Sequence, residues 1–479
     1  MHELAGKSVL VVGLGKSGMA AARFLHSRGA RVAVVDSSAT PDLEAQAKTL
    51  RALGIPVALG QRQAASKDFD LAVISPGVSL RLPLLQPLRA RGTPIIGELE
   101  LAAQHVRCPN VSITGTNGKT TTTELVERML TACQRKTIAA GNIGLPLCDL
   151  VDQANHLHLF TLEVSSFQLE TIQLFRPAIA VLLNLAPDHM DRYSSANDYL
   201  LAKARLFENQ QSSDWAIIQS EALAQLRAAG VALKAQLVTF SASGAKADIR
   251  LEGSRIVGCF PDGDVTFLDL KDCRLRGAHN AENLMATLAV GRALKLPLRD
   301  MQKALQSYAP APHRCERLGE INGVLFVNDS KATNPHAVAH AIAAMPASEG
   351  GEPNILLIAG GKEKSLPYGD LAPMLAKRVK RAYLLGETRL TLLQAWSRFT
   401  PCVLVGSLLE AVTKAAEVAR AGDIVLLSPA CSSFDMFRDY QQRGDEFRTA
   451  VRRLQETGLR EFALGSAPAS AEPVALNRA

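Results

Sequence analysis

The chain has 479 residues, 47% hydrophobic and 21% charged, with a formal net charge of +7; it is about three times the length of a typical domain, so roughly two to four domains are expected. No apolar run approaches the ~20 residues of a membrane span, and the start M-H-E-L has no basic region leading into an apolar core, so the sequence predicts a cytoplasmic protein with no membrane insertion. Eight cysteines without C-x-x-C spacing speak against a zinc site or a disulfide framework, and basic residues dispersed without interleaved aromatics speak against nucleic acid; anionic small substrates account for the positive balance equally well.

In chain order, apolar runs at 8–12, 31–35 and 71–74, with a helical pattern over 17–28, predict a βαβ unit on a parallel sheet. G-L-G-K-S-G at 13–18 fits the dinucleotide fingerprint, and Asp36 closes the second strand where a ribose-binding acid would lie. Alone this points to a nicotinamide cofactor, yet the glycines let a helix N-terminus approach any diphosphate. Ser75-Pro76-Gly77 lies at the same carboxyl edge, as part of a site or as an ordinary turn. P-I-I-G at 94–97 and a helix from Glu98 lead out of this domain, placing a boundary within 94–108.

T-G-T-N-G-K-T-T at 114–121 follows the apolar run 111–113 and opens a helical stretch, the arrangement that presents backbone N–H groups and a lysine to phosphates. It is a shortened phosphate loop, with two residues between Gly115 and Gly118 where the general pattern has four. Strands follow at 159–164 and 178–184. The first ends on Glu163, well placed for a cation, and the second empties into N-L-A-P-D-H-M-D-R at 184–192, a charged run after a buried approach. Lys203 falls on a helix over 199–207, where a lone lysine is ordinarily solvated. The short, turn-rich pattern over 237–275 predicts a small antiparallel region before a helix near Asn280, which either caps that helix or, with His279 and Asn283, joins a site.

Y-A-P-A-P at 308–312 is the best linker. Arg314, just beyond it, either neutralises a phosphate between domains or forms an interdomain salt bridge. Apolar runs at 324–328, 355–359, 382–385, 402–405 and 424–427, alternating with helical patterns, predict a second parallel α/β unit. N-D-S-K-A-T-N at 328–334 reads as a binding loop after a buried strand, and residues 465–479, rich in Ala, Pro and Ser, as a disordered tail. From these residues alone, a nicotinamide oxidoreductase and a non-catalytic phosphate-loop regulator both stay open.

Together, T-G-T-N-G-K-T, E-V-S-S-F-Q-L-E, N-L-A-P-D-H-M-D-R-Y, H-N-A-E-N and N-D-S-K-A-T-N resemble, in order and across nearly the whole chain, the Mur ligase family of ATP-dependent amide-forming enzymes of peptidoglycan precursor synthesis. N-D-S-K-A-T-N and L-S-P-A-C-S-S-F-D are most similar to the branch that joins D-glutamate to UDP-N-acetylmuramoyl-L-alanine; sister ligases and folylpolyglutamate synthase differ at 330–333. The resemblance implies a three-domain α/β protein: a Rossmann-like N-terminal domain (1–97) for the uridine nucleotide, a central P-loop ATPase-type α/β domain with a small antiparallel β region (98–309), and a C-terminal Rossmann-like domain for the amino acid (310–464). It implies ATP and two Mg²⁺ ions as cofactors and a monomer as the working unit. Gly115, Thr116, Asn117, Gly118, Lys119, Thr120 and Thr121 would cradle ATP, with Asn283, Arg314 and Asp329 as further nucleotide contacts. Thr120 and Glu163 would hold one Mg²⁺; Glu163, His189 and Lys203, the last as a CO₂-derived carbamate, would hold the other. Gly15, Lys16, Ser17, Asp36, Ser37, Ser75 and Gly77 would face the uridine substrate, with Asn142, Ser165 and Gln168. Lys331, Thr333, Lys364, Ser433 and Phe434 would receive D-glutamate, although G-G-K-E-K at 360–364 lacks the smaller, acidic spacer expected before that lysine. His189 and Asp329 are both candidate bases for the incoming amine.

Overall fold

The computed structural model describes residues 3–61, 68–261, 263–275, 277–309, 312–348 and 350–465. The chain forms two compact units, one of residues 1–185 with 192–308 and the other of 186–191 with 309–479.

The first unit holds two sheets. The five-stranded one is parallel, in the order Val57–Ala58, Arg31–Val35, Ser8–Val12, Leu71–Ile74, Ile95–Gly97. Ser8–Val12 lies where the strand order reverses, so the loops after it and after Leu71–Ile74 open on one crevice, the usual ligand position in such sheets. Ile95–Gly97, expected only to lead away, is one of its two edge strands.

The nine-stranded sheet runs Gly263–Asp269, Arg255–Phe260, Ile249–Glu252, Gln236–Ser241, Trp215–Gln219, Ile179–Leu182, Asn110–Thr114, Phe160–Glu163, Ala139–Gly141. Its antiparallel part is smaller than expected: Gln236–Ser241 pairs in parallel with Trp215–Gln219 and with Ile249–Glu252, and antiparallel pairing begins only beyond Ile249–Glu252. Helix Ala278–Ala293 begins after Gly277, so Asn280 lies inside its first turn and is not the cap. The expected helix around Lys203 is Ala196–Ala204, continued as a 3₁₀ turn Arg205–Phe207.

Two buried acids on helix Glu98–Ala103 join the sheets of this unit. Glu98 accepts from the Cys148 N–H at 2.6 Å. Glu100, fully buried, accepts from the N–H groups of Gln173 (2.8 Å), Leu174 (2.9 Å) and Phe175 (2.9 Å) and from Gln104. Three backbone donors on one carboxylate compensate its removal from water.

The second unit is built on a six-stranded sheet, Glu316–Ile321, Val324–Asn328, Ile424–Leu427, Ile355–Gly360, Val379–Leu385, Cys402–Leu404. It is parallel except for Glu316–Ile321, an antiparallel edge strand that its half-buried, charged sequence hid. Loops after three adjacent central strands, Asn328, Leu427 and Gly360, therefore gather at one carboxyl edge. Helix Tyr440–Gly465 closes the unit; the expected tail beyond it, and Pro310-Ala311 of the expected linker, lie outside the described residues.

Candidate active site

The phosphate loop sits between two neighbours of its own strand. Asn110–Thr114 pairs on one side with Ile179–Leu182 and on the other with Phe160–Glu163, with Ile113 opposite Glu163. The exit of the first neighbour clamps the loop: Asn184 accepts from the Asn117 N–H at 2.8 Å, donates back to the Asn117 carbonyl at 3.0 Å, and its own carbonyl accepts from the Thr116 N–H at 3.0 Å. Gly118 precedes helix Lys119–Ala132 with φ +85°, and a Cβ there would meet Asn283 Oδ1 at 2.4 Å. Asn283 also accepts from Thr122 Oγ1 at 3.2 Å, so it braces the loop's exit from the facing helix. Lys119 folds back along the loop, its Nζ donating to the carbonyls of Gly115 (2.9 Å) and Thr116 (2.8 Å). Thr120 is half-buried on the first turn and Thr121 is buried.

Lys203 also reaches this loop. It is buried at 1% exposure, not solvated, and its Nζ donates to the Gly115 carbonyl at 2.8 Å while lying 4.7 Å from the Tyr199 ring centre. Glu163, 2% exposed, accepts from Asn142 Nδ2 at 2.7 Å through Oε1, while its Oε2 is buried with no hydrogen-bond partner among the described residues. Thr114 Oγ1 is orphaned in the same way. A buried carboxylate oxygen without a donor is costly; beside hydroxyls and a phosphate loop, this donor set fits a hard, oxygen-seeking cation.

Ser165 and Gln168 serve locally in the structure. They form a reciprocal capping box on helix Ser166–Leu169, with Ser165 Oγ donating to Gln168 Oε1 at 3.0 Å. At the first sheet, Asp36 accepts from the Leu14 N–H (2.7 Å) and the Ser38 N–H (2.8 Å), bracing the glycine loop, and Ser75 donates to the Gly13 carbonyl at 2.8 Å. Gly18 packs so closely that a Cβ would meet that carbonyl at 1.8 Å, whereas a Cβ on Gly15 or Gly77 would meet nothing within 4 Å. Gly15, Lys16, Ser37 and Gly77 are exposed and Ser17 half-buried, leaving this crevice edge accessible.

In the second unit, His189 has φ +56° and follows Asp188, a buried residue of the charged run 184–192 for which the sequence suggested no role of its own. Asp188 accepts from Lys364 Nζ at 3.3 Å and from Asn334 Nδ2 at 3.1 Å; Lys364 also donates to the Thr333 carbonyl at 3.4 Å. Asp329, 7% exposed, accepts from the Cys315 N–H (3.1 Å) and Ser428 Oγ (3.0 Å). Burial pushes its carboxyl up to about 7, against the opposing pull of those donors and of the Arg314 charge. Lys331 Nζ lies 3.8 Å from the Tyr440 ring centre, Ser433 is buried, and Phe434 is 66% exposed. Arg443, unsuspected from sequence, is 1% exposed and fastens the N-D-S-K loop, donating to Ser330 Oγ (3.0 Å), the Ser330 carbonyl (2.8 Å) and the Cys431 carbonyl (3.1 Å).

Comparison with known proteins adds the following. Three family models match: the Mur ligase MurD-like N-terminal domain over residues 7–97, the Mur ligase middle domain over 113–291 and the Mur ligase glutamate ligase domain over 313–431. The UDP-N-acetylmuramoylalanine–D-glutamate ligase of Geobacter metallireducens is 40% identical over 464 residues, covering 94% of this chain and 98% of that protein. The protein of the same name from Acidobacterium capsulatum is 42% identical over 453 residues, covering 94% and 97%. Among solved structures, MurF from Acinetobacter baumannii superposes with a TM-score of 0.60 at 17% identity, covering 89% of this chain and 90% of that one. MurF ligase from Thermotoga maritima, solved in complex with ADP, gives a TM-score of 0.57 at 17% identity, covering 95% and 99%. These structural likenesses speak for the fold.

Proposed function

The chain belongs to the Mur ligase family, and from that premise we propose that it is the ATP-dependent ligase joining D-glutamate to UDP-N-acetylmuramoyl-L-alanine in peptidoglycan precursor synthesis. The observation that carries this reading is identity of about 40% along nearly the full length of relatives named for that reaction. In this reading residues 1–97 bind the uridine substrate, 98–309 bind ATP and 310–464 bind the amino acid, in a monomeric cytoplasmic enzyme.

A carboxylate is a poor electrophile. The substrate carboxylate therefore attacks the γ-phosphate of ATP, giving an acyl phosphate and ADP; the amine of D-glutamate then adds to the carbonyl, loses a proton, and the tetrahedral intermediate expels phosphate. The first step brings two anions together, and offsetting that repulsion is the main contribution a protein makes. Lys119, already drawn along the loop by two carbonyls, is assigned to the β and γ phosphates. Asn142 fixes one oxygen of Glu163 and leaves the other buried and open, which supports Glu163 as a Mg²⁺ ligand with Thr120, and with His189 and a carbamylated Lys203 at a second position. When bound, Mg²⁺ would neutralise charge on the phosphoryl group being transferred. Lys364 and Thr333, clustered with Asp188, are assigned with Lys331, Ser433 and Phe434 to D-glutamate, and Arg314 and Asp329 to ATP.

The decisive experiment measures ADP release with UDP-N-acetylmuramoyl-L-alanine, with D-glutamate present or absent and with L-glutamate as control. Turnover that requires the uridine substrate and D-glutamate is expected. ATP consumption indifferent to both would mean a phosphate-loop ATPase of another kind, and turnover with a different amino acid would mean a sister ligase.

A further inference from the structure

The nine-stranded sheet carries a second concavity, at the edge opposite the phosphate loop. A cavity of about 320 Å³ opens beneath the amino ends of its central strands, lined by Asn110, Phe160, Ala178 and Asp214. The phosphate loop begins where strand Asn110–Thr114 ends, so the cavity is separated from it by roughly 13 Å of strand. The volume lies in the range of small-ligand sites, ~300–1,000 Å³.

Its chemistry is uneven in a way that selects a ligand. Leu174, 64% exposed, with half-buried Ala103 and Val106, gives the opening an apolar side, while Phe160 and Leu162 of the lining are 1% exposed each. Of the two arginines on the lining, Arg176 is occupied by Asp214, with Nε–Oδ2 at 2.7 Å and Nη2–Oδ1 at 3.0 Å. Arg107 is exposed, and its side chain makes no hydrogen bond or ion pair among the described residues. A cation without a protein partner among the described residues, on the same lining as an apolar side, suits an anion with an apolar body.

The walls also matter mechanically. Ala103 ends helix Glu98–Ala103 and Val106 lies in the segment that leaves it, while Leu174 and Phe175 belong to the turn whose N–H groups are held by Glu100 of that helix. A ligand here would touch both sides of the joint between the sheets of the first unit. We propose that this cavity is a binding site for a small organic anion with an apolar body, an aryl or branched-alkyl carboxylate or sulfonate, separate from the nucleotide and substrate sites.

The test uses the full chain with Mg²⁺, a non-hydrolysable ATP analogue and UDP, all saturating, so that the nucleotide sites are filled. The probe is 1-anilinonaphthalene-8-sulfonate, compared with N-phenyl-1-naphthylamine, the same skeleton without the charge. One saturable site should remain, preferring the sulfonate by about tenfold or more, as a charged hydrogen bond to arginine implies. Arg107→Ala, a surface change, should remove that preference. Hydrogen exchange should slow in peptides covering 103–109 and 173–176 when the sulfonate binds. Displacement of the probe by the nucleotides, equal affinity for both probes, an unchanged preference in Arg107→Ala, or protection confined to 114–121 would each overturn the proposal.

Discussion

Lys119 and Lys203 converge on the Gly115 carbonyl from two helices, 2.9 and 2.8 Å away, yet are assigned opposite work. Lys119 acts as a cation, and Lys119→Ala should lower ATP-dependent phosphate release by roughly 10²–10³-fold, the usual scale for losing one preorganised charge-stabilising group; near-normal turnover would remove the loop from the chemistry. In the proposed reading, Lys203 acts once its amine has captured CO₂ and become an anionic oxygen ligand. Lys203→Ala should abolish turnover, and a short carboxylate such as formate should restore part of it by entering the space left beside Gly115. Restoration equal in Lys203→Ala and Lys203→Met, where the longer side chain refills that space, would count against the carbamate. The burial of Lys203 could not be read from its own helix, because the surroundings that bury it come from a loop 88 residues away in sequence. The same holds for Arg443, whose partner Ser330 is 113 residues distant, and for the Asp188–Lys364 contact, which spans 176. Glu163 was legible because it ends a strand, and strand ends are a local property.

At the scale of elements, apolar runs located most of the central parallel strands, though not Trp215–Gln219, because such strands are buried on both faces and read as continuous hydrophobic stretches. Glu316–Ile321 was missed for the converse reason: a half-buried edge strand carrying two glutamates and an arginine has no such stretch. Asn280 was weighed as a helix cap on residue type, yet the helix begins two residues earlier, after Gly277 at φ +88°. Glycine at 118 is required twice over, by φ +85° and by the 2.4 Å approach of Asn283. Gly118→Ala should therefore cost about 1–2 kcal/mol for the left-handed backbone alone, and more through displacement of Asn283. Thermal melts should show the loss of stability, and ATP titration a raised Kd. Gly15→Ala, where a Cβ would meet nothing within 4 Å, should leave the melt nearly unchanged while weakening the uridine nucleotide; a comparable stability loss at both positions would mean that the first glycine loop is structural too.

For the whole molecule, the informative residue is one assigned to neither substrate. Glu98 joins the two sheets of the first unit through Cys148, its second oxygen is buried with no hydrogen-bond partner among the described residues, and burial pushes its carboxyl up to about 7 against the weaker opposing pull of the Cys148 N–H. The folded chain therefore holds a proton there that an unfolded carboxylate, titrating near 4.3, releases. Between those two pH values the folded state binds more protons than the unfolded one, so stability falls as pH rises from about 4.5 to about 7 and is level above. Glu98→Gln keeps an oxygen for Cys148 and cannot ionise. It should match the parent near pH 4.5 and exceed it at pH 8 by up to about 3 kcal/mol, the upper bound set by the shift. Asp329, also raised to about 7 by burial, slopes the parent's curve in the same direction, so only the difference between variant and parent isolates Glu98. The two tryptophans allow that difference to be assigned: Trp215 lies in the first unit with Glu98 and Trp396 in the second. In a Trp396→Phe background, urea melts followed by Trp215 emission report the unit that contains Glu98. A gap between Glu98→Gln and Glu98 that is the same at pH 4.5 and pH 8 would mean that the carboxyl stays charged in the folded protein and that the joint is held by an ionised acid.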